Sequence, residues 1–231
     1  MFDDGDKAYF GQVFKEKKKI TVEEFASSLR SVPDEEIYPK IHPEAKLKAA
    51  STTDQKTCSV FIKRPSLLDY EEASGHGWIR QIFLSEALIM EQIAAAPHPN
   101  IVKYLGCRMR DEFLTGIVLE RHDSSLNDHY AQGKQPVDTD DFMAKLGEAV
   151  HHLHSLGLAH NDVNPNNVML DEAGDPVLID FGSCQPFEGR LMQAGTTGWC
   201  DGPIHFSDKR HDDVALGKMR KWLEDPGRTF L

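Results

Sequence analysis

Two short polar stretches constrain this chain more than anything else in it. The first reads His160-Asn161-Asp162-Val163-Asn164-Pro165-Asn166-Asn167 and places an Asp and an Asn five residues apart, after a helical pattern. The second reads Ile179-Asp180-Phe181-Gly182 and places another Asp thirteen residues further on, where an apolar run meets a glycine. Pro165 and the asparagines disfavour a continuing helix, so the polar groups stay accessible on a loop. Oxygen ligands such as Asn167 and Asp180 suit Mg²⁺, a hard cation that also takes phosphate oxygens. Asp162 is then free to orient a hydroxyl or to accept its proton.

The rest of the chain reads as an α+β pattern rather than alternating βαβ units. Thr21 to Arg30 is a short helix, with Thr21 and Glu24 spaced as a capping box. Residues 33–44 hold three prolines and read as an extended surface arm. Lys46–Ala50 and Cys58–Lys63 read as two strands joined around Thr53-Asp54, and residues 69–77 as a mobile loop. Trp78 to Ala96 is a long helix, with Ile82, Leu88 or Ile89, Met90 and Ile93 at helical spacing. Strands follow at 101–107 and 116–119. A second long helix runs from Asp140 to Leu156, with Phe142, Leu146, Val150 and Leu153 on one side and Gly157 as its stop. Val168–Leu170 and Val177–Ile179 form a hairpin around Ala173-Gly174-Asp175. A last helix starts near Asp212 or Asp213 and ends near Leu223.

Charge and cysteines narrow the function classes. The 231 residues carry 26 Lys+Arg against 37 Asp+Glu, a formal net charge of −11, which argues against a nucleic-acid partner. No apolar run approaches the roughly 18 residues that would span a bilayer. The N-terminus has no apolar core of a secretory signal. The four cysteines form no CxxC pair, which favours free thiols in a reducing compartment. An intracellular protein, cytoplasmic or nuclear, is the expectation. His151 and His154 stand at metal-pair spacing but lack a third ligand, so a solvated helix face is expected there. The Lys15–Lys19 run reads as a solvated charge cluster.

With these residues in view, the chain resembles the protein kinase family, and in its detailed wording small kinase-like proteins of filamentous fungi. His160-Asn161-Asp162…Asn167 and Asp180-Phe181-Gly182 match two of that family's signatures. Val60-Phe61-Ile62-Lys63 looks like its third strand with the phosphate-binding Lys63. Glu86 looks like the helix glutamate that pairs with that lysine, with Glu91 as a competing partner. His98-Pro99-Asn100-Ile101-Val102 and Val118-Leu119-Glu120-Arg121-His122 resemble the approach to the fourth strand and the gatekeeper and hinge. Met90, His160 and Phe181 would stack as the family's regulatory spine. Gly195-Thr196…Trp199 looks like the end of an activation segment, and Asp213–Gly217 like the start of the next helix.

The resemblance implies a two-lobed protein-kinase-like fold, with a reduced N-lobe lacking the Gly-rich loop and a truncated C-lobe. Residues 1–45 would be an N-terminal extension, 46–121 the N-lobe and 122–231 the C-lobe. It implies ATP and Mg²⁺ as cofactors. Asp162, Lys63 and Glu86 would act in catalysis. Lys63, Leu119, Glu120, Arg121, Asn167 and Asp180 would bind nucleotide, and Asn167 and Asp180 the metal. The implied function is ATP- and Mg²⁺-dependent transfer of the γ-phosphate to a hydroxyl on a protein or small molecule, as an atypical Ser/Thr protein kinase. The alternatives are a pseudokinase scaffold and a small-molecule kinase. They draw on the absence of glycine between Lys46 and Lys56, Asn164 for the family's Lys, and the short C-lobe; Asn161 for its Arg and Asp201-Gly202-Pro203 for Ala-Pro-Glu are further departures.

Overall fold

The computed structural model describes every residue except 1, 2, 4, 43, 52–58, 69, 202, 203 and 231. The N-terminal part is a small antiparallel ribbon. Strand β1 (Ala8–Phe10) pairs with β2 (Arg30–Val32), and helix α1 (Val22–Ser28) lies between them in sequence. The capping box forms as read: the Glu24 amide donates to the Thr21 hydroxyl and the Thr21 amide to the Glu24 carboxylate, both at 3.2 Å. Lys15, Lys18 and Lys19 are exposed, with Lys15 paired to Glu24 and Lys19 to Glu16.

Three sequence expectations fail in this half. Residues 33–44 are not a surface arm. They contain helix α2 (Asp34–Ile37), and Ile37, Tyr38 and Pro39 are buried. With Ala8, Val32 and Phe113, Ile37 and Tyr38 build a second apolar cluster that holds the segment down. Of the two strands expected at Lys46–Ala50 and Cys58–Lys63, the first does not form a strand. Only β3 (Val60–Lys63) is a strand of the sheet, while Ala49 bridges in parallel to Cys107 at the opposite edge. Gly106 permits that approach, because a Cβ there would lie 2.6 Å from the Ala50 nitrogen. The proposed turn at Thr53-Asp54 and Cys58 fall outside the described residues. Residues 69–77, read as a loop, hold the short helix α3 (Tyr70–Ala73).

Helix α4 (Trp78–Ala94) buries Phe83, Glu86, Ala87, Ile89, Met90 and Ile93. Of the two candidates Leu88 and Ile89, it is Ile89 that faces the core. Strands β4 (Tyr104–Arg110) and β5 (Phe113–Glu120) complete a three-stranded antiparallel sheet in the order β3-β5-β4, with α4 packed against it.

The C-terminal half begins with β6 (Ser124–Ser125) and α5 (Leu126–Ala131). Helix α6 (Thr139–Ser155) follows, capped by Asp138, whose carboxylate accepts from the amides of Asp140 and Asp141. Strand β7 (Leu158–Ala159), the hairpin β8 (Val168–Leu170) and β9 (Pro176–Leu178), and β10 (Gln185–Pro186) then lead to α7 (Lys209–Glu224). β6 joins the hairpin edge and β10 pairs with β7. Helix α7 starts three residues before the expected Asp212, because Asp208 caps it through the Arg210 amide at 2.9 Å. One continuous apolar core runs from α4 and the first sheet through α6, the hairpin and α7. No helix among the described residues is long and apolar enough to cross a membrane.

Candidate active site

Lys63 stands at the end of β3, and its partner comes from α4. The Nζ donates to Glu86 Oε1 at 2.6 Å and to Asp180 Oδ1 at 2.8 Å. Glu86 is only 4% exposed and also accepts from the Phe181 amide at 3.2 Å. Glu91, the competing partner, is occupied elsewhere. It takes the Tyr104 hydroxyl at 2.7 Å and the Lys48 amide. The five-residue separation settles the choice, since it turns Glu91 about 140° round α4 from Glu86, which lies on the buried stripe.

Burial works to lower the Lys63 ammonium, but the Glu86 and Asp180 carboxylates outweigh it and hold the group at about 12. Burial pushes the Glu86 carboxyl up, against the pull of Lys63. Burial also acts to raise Asp180, yet the Lys63 charge and hydrogen bond, with the Gly182 amide, bring it below the ordinary range. A cleft of about 520 Å³ opens on this cluster, lined by Lys63, Glu86, Asp180 and Gly182, with Phe83 and Met192 on its apolar side.

The loop after β7 carries Asp162. Its carboxylate accepts three bonds: from the Asn167 amide at 2.8 Å, the Asn164 amide at 3.0 Å and the Thr196 backbone amide at 2.7 Å. Asn167 spends both of its donor bonds on Asp162, so its amide oxygen is the group left for a cation. Asp180 uses Oδ1 on Lys63 and Gly182, which leaves Oδ2. Those two oxygens fit the hard, carboxylate-and-carbonyl donor set that Mg²⁺ takes. The two stretches are joined directly, because the Ile179 amide donates to the Asn167 carbonyl at 2.9 Å and His160 Nε2 meets the Ile179 carbonyl at 3.0 Å. His160 and Phe181 contact edge-on at 5.0 Å, and Met90 is buried in the same core.

Leu119 is buried opposite Phe61, at the end of β5. The Glu120 amide donates to the Lys103 carbonyl at 2.9 Å and the Arg121 amide to the Ser59 carbonyl at 3.0 Å, so this backbone is fixed across the sheet edge.

Asp212, His154, Asn161, Gly195 and Thr196 take roles at the site that the sequence reading did not assign to them. Asp212, not Asp213, faces inward and is fully buried. It accepts from the backbone amides of His160 and Asn161 at 2.9 and 2.8 Å and from His154 Nε2 at 2.9 Å. His154 is therefore turned into the protein, against the expected solvated face. Asp212 lies in phase with Ala215, Met219 and Trp222, and that stripe could have identified it. Asn161 sits at φ 62°, a conformation Asn tolerates. Its amide donates to the carbonyls of Ala159 and Ser183 and to the Ser207 hydroxyl, tying the loop to the segment after Gly182. Gly195 packs under the loop, and a Cβ there would overlap the Asn161 carbonyl oxygen. Thr196 follows it onto Asp162. Cys184 is fully buried and its thiol is raised by burial, so it is a core side chain. Gly202 and Pro203 lie outside the described residues.

The chain matches the family model described as "Protein kinase domain" over residues 49–203. Among curated proteins it is similar to the serine/threonine-protein kinase/endoribonuclease IRE1 of Hypocrea jecorina, with 35% identity over 139 residues, covering 52% of this chain and 11% of that protein. It is similar to the human serine/threonine-protein kinase TAO3, with 31% identity over 122 residues, 52% of this chain and 13% of that one. It is also similar to the serine/threonine-protein kinase CHK1 of Saccharomyces cerevisiae, with 30% identity over 103 residues, 43% of this chain and 19% of that one. The chain thus spans about a tenth to a fifth of the length of these relatives.

Proposed function

Because the chain belongs to the protein kinase domain family, we propose that it transfers the γ-phosphate of ATP to a hydroxyl acceptor, as an intracellular Ser/Thr-type protein kinase with an N-lobe at 46–121 and a C-lobe at 122–231. The observation that carries this reading is the Lys63 ammonium held between Glu86 at 2.6 Å and Asp180 at 2.8 Å, with the Asp180 strand tied to the Asp162 loop by the Ile179 amide on the Asn167 carbonyl. Lys63 would meet the α- and β-phosphates, with Leu119 and the backbone of Glu120 and Arg121 beside the adenine. Asn167 and Asp180 would hold Mg²⁺, which supplies charge neutralisation for the phosphates when bound.

Asp162 is oriented by three donors, and its Oδ2 carries a single one of them. It would accept the hydroxyl proton as the acceptor oxygen forms its bond to the γ-phosphorus and ADP departs with the electrons of the broken P–O bond. The support is positional, because transfer of this kind depends on placement and electrostatics more than on covalent chemistry.

The test is Mg²⁺-dependent ATP turnover and phosphate transfer, compared with Asp162→Ala, on peptide and small-molecule acceptors in parallel. Loss of transfer in the variant supports the reading, and equal activity overturns it. A second reading, a nucleotide-binding scaffold, is favoured by the neutral Asn164 where the family's pattern has a cation. ATP binding without transfer to any acceptor would establish it.

A further inference from the structure

No residue before Lys63 takes part in the function proposed above. Yet the segment from Asp6 to Ile41 grips both elements that carry the lysine–glutamate pair. Asp6 is the first grip. It is 1% exposed, at φ 62°, and its carboxylate gathers donors from β4, β5 and the residue just after β3. Arg64 meets it with Nε at 3.0 Å and Nη2 at 2.7 Å, Arg108 with Nε at 2.9 Å, and Thr115 with its hydroxyl at 2.9 Å. Arg64 is the residue next to Lys63. The Asp6 carbonyl also accepts the buried Tyr38 hydroxyl at 2.6 Å, which anchors the far end of the segment at the same point.

The second grip is on α4. Arg80, in its first turn, donates to the Glu35 carbonyl at 2.6 Å. Ile79 packs against the cluster of Ala8, Val32, Ile37, Tyr38 and Phe113. Ile79 and Glu86 are seven residues apart, two helical turns on one stripe, so a rigid α4 carries the position of Ile79 to Glu86 over about 10 Å. Glu36 extends the grip to α3 by accepting from Tyr70 at 2.5 Å and Ser74 at 2.9 Å. The segment finally joins the β4–β5 turn, where the Ile41 amide donates to Glu112 and the Leu114 amide to Pro39.

We infer that residues 6–41 form an internal strap that sets the spacing of Lys63 and Glu86, with Asp6 as a positioning residue. A strap that only added stability would need no contact beside Lys63 and none on the Glu86 stripe. This one makes both. Its consequence for nucleotide affinity rests on the proposed function, whereas the coupling itself does not.

The experiment uses the full chain with Asp6→Asn and, separately, Arg80→Ala, which cuts the α2–α4 link at the surface. Mass spectrometry follows acylation of Lys63 by an N-hydroxysuccinimide ester against Lys145 as an internal reference, and titration calorimetry follows MgATP. In each variant that unfolds cooperatively, Lys63 acylation is expected to rise by about fivefold or more, with a comparable fall in MgATP affinity. Both quantities within about twofold of wild type in the folded variants overturn the strap. If Asp6→Asn does not fold, Arg80→Ala alone decides by the same criterion. A wild type that fails to bind MgATP defeats the proposed function, while the acylation rates still decide the strap.

Discussion

The side-chain amide of Asn164 donates to the Asp162 carboxylate at 3.0 Å and to the Thr196 hydroxyl at 3.2 Å, while its own oxygen accepts from the Asn166 amide at 2.9 Å. A neutral group therefore does the positioning at a place where the family's pattern has a lysine. It fixes the carboxylate between the loop and the segment that ends at Trp199, but supplies no positive charge to a transferring phosphoryl group.

Asn164→Ala removes one of three donors from Asp162 and frees the carboxylate to rotate. Turnover should fall on the order of 10- to 100-fold, with KM for ATP nearly unchanged, because Lys63 and Asp180 are untouched. Steady-state kinetics checks this. A rise in KM with unchanged kcat would place Asn164 in nucleotide binding instead.

Gly195→Ala tests the packing beneath the same loop. The added Cβ must displace the Asn161 carbonyl and would come within 3.4 Å of Asp162 Oδ1. Single-turnover transfer should slow by about tenfold or more, while the melting temperature drops by only a few degrees. An unaltered rate would show that the loop gives way without moving Asp162.

Asp212→Ala leaves two buried backbone amides and His154 without their acceptor. The expected loss is about 3–5 kcal/mol in urea unfolding, the range for breaking a buried, hydrogen-bonded charge. Asp213→Ala, one position out of phase, should change stability by less than about 0.5 kcal/mol. Equal effects at the two positions would contradict the inward orientation of Asp212.

The pH dependence of stability follows from Lys63 and Asp180. Lys63 is raised to about 12, so its pairing contributes fully below the unfolded lysine value of about 10.4 and is lost as pH rises through 12. Asp180 is depressed, so its part is present above the ordinary carboxylate value and is lost as pH falls through its lower folded value. The stability difference between wild type and Lys63→Met should therefore be flat from about pH 6 to 9 and shrink above about pH 11. Denaturant unfolding across that range measures it, and a difference that grows at alkaline pH would reverse the assignment.

Much of the site was readable along the chain because its parts are local. The spacing from Asp162 to Asn167, the Asp180-Phe181-Gly182 turn, the hairpin between them and the Lys63 strand are each written in a few consecutive residues. Glu86 was expected from the family resemblance, and the structure places it on the buried stripe of α4 and brings its carboxylate to Lys63.

What only the tertiary structure decided are the pairings whose partners lie far apart in sequence. Asp6 meets Arg64, Arg108 and Thr115 across 58 to 109 positions. Asp212 meets His160 across 52. The helical stripe turns Asp212 inward, but no local window names the partners of either carboxylate, since these depend on which donors the packed core leaves unpaired. The same reason accounts for residues 33–44. Their prolines set the local backbone, but it is the apolar cluster around Ile37 and Tyr38 that draws the segment down onto the sheet and α4.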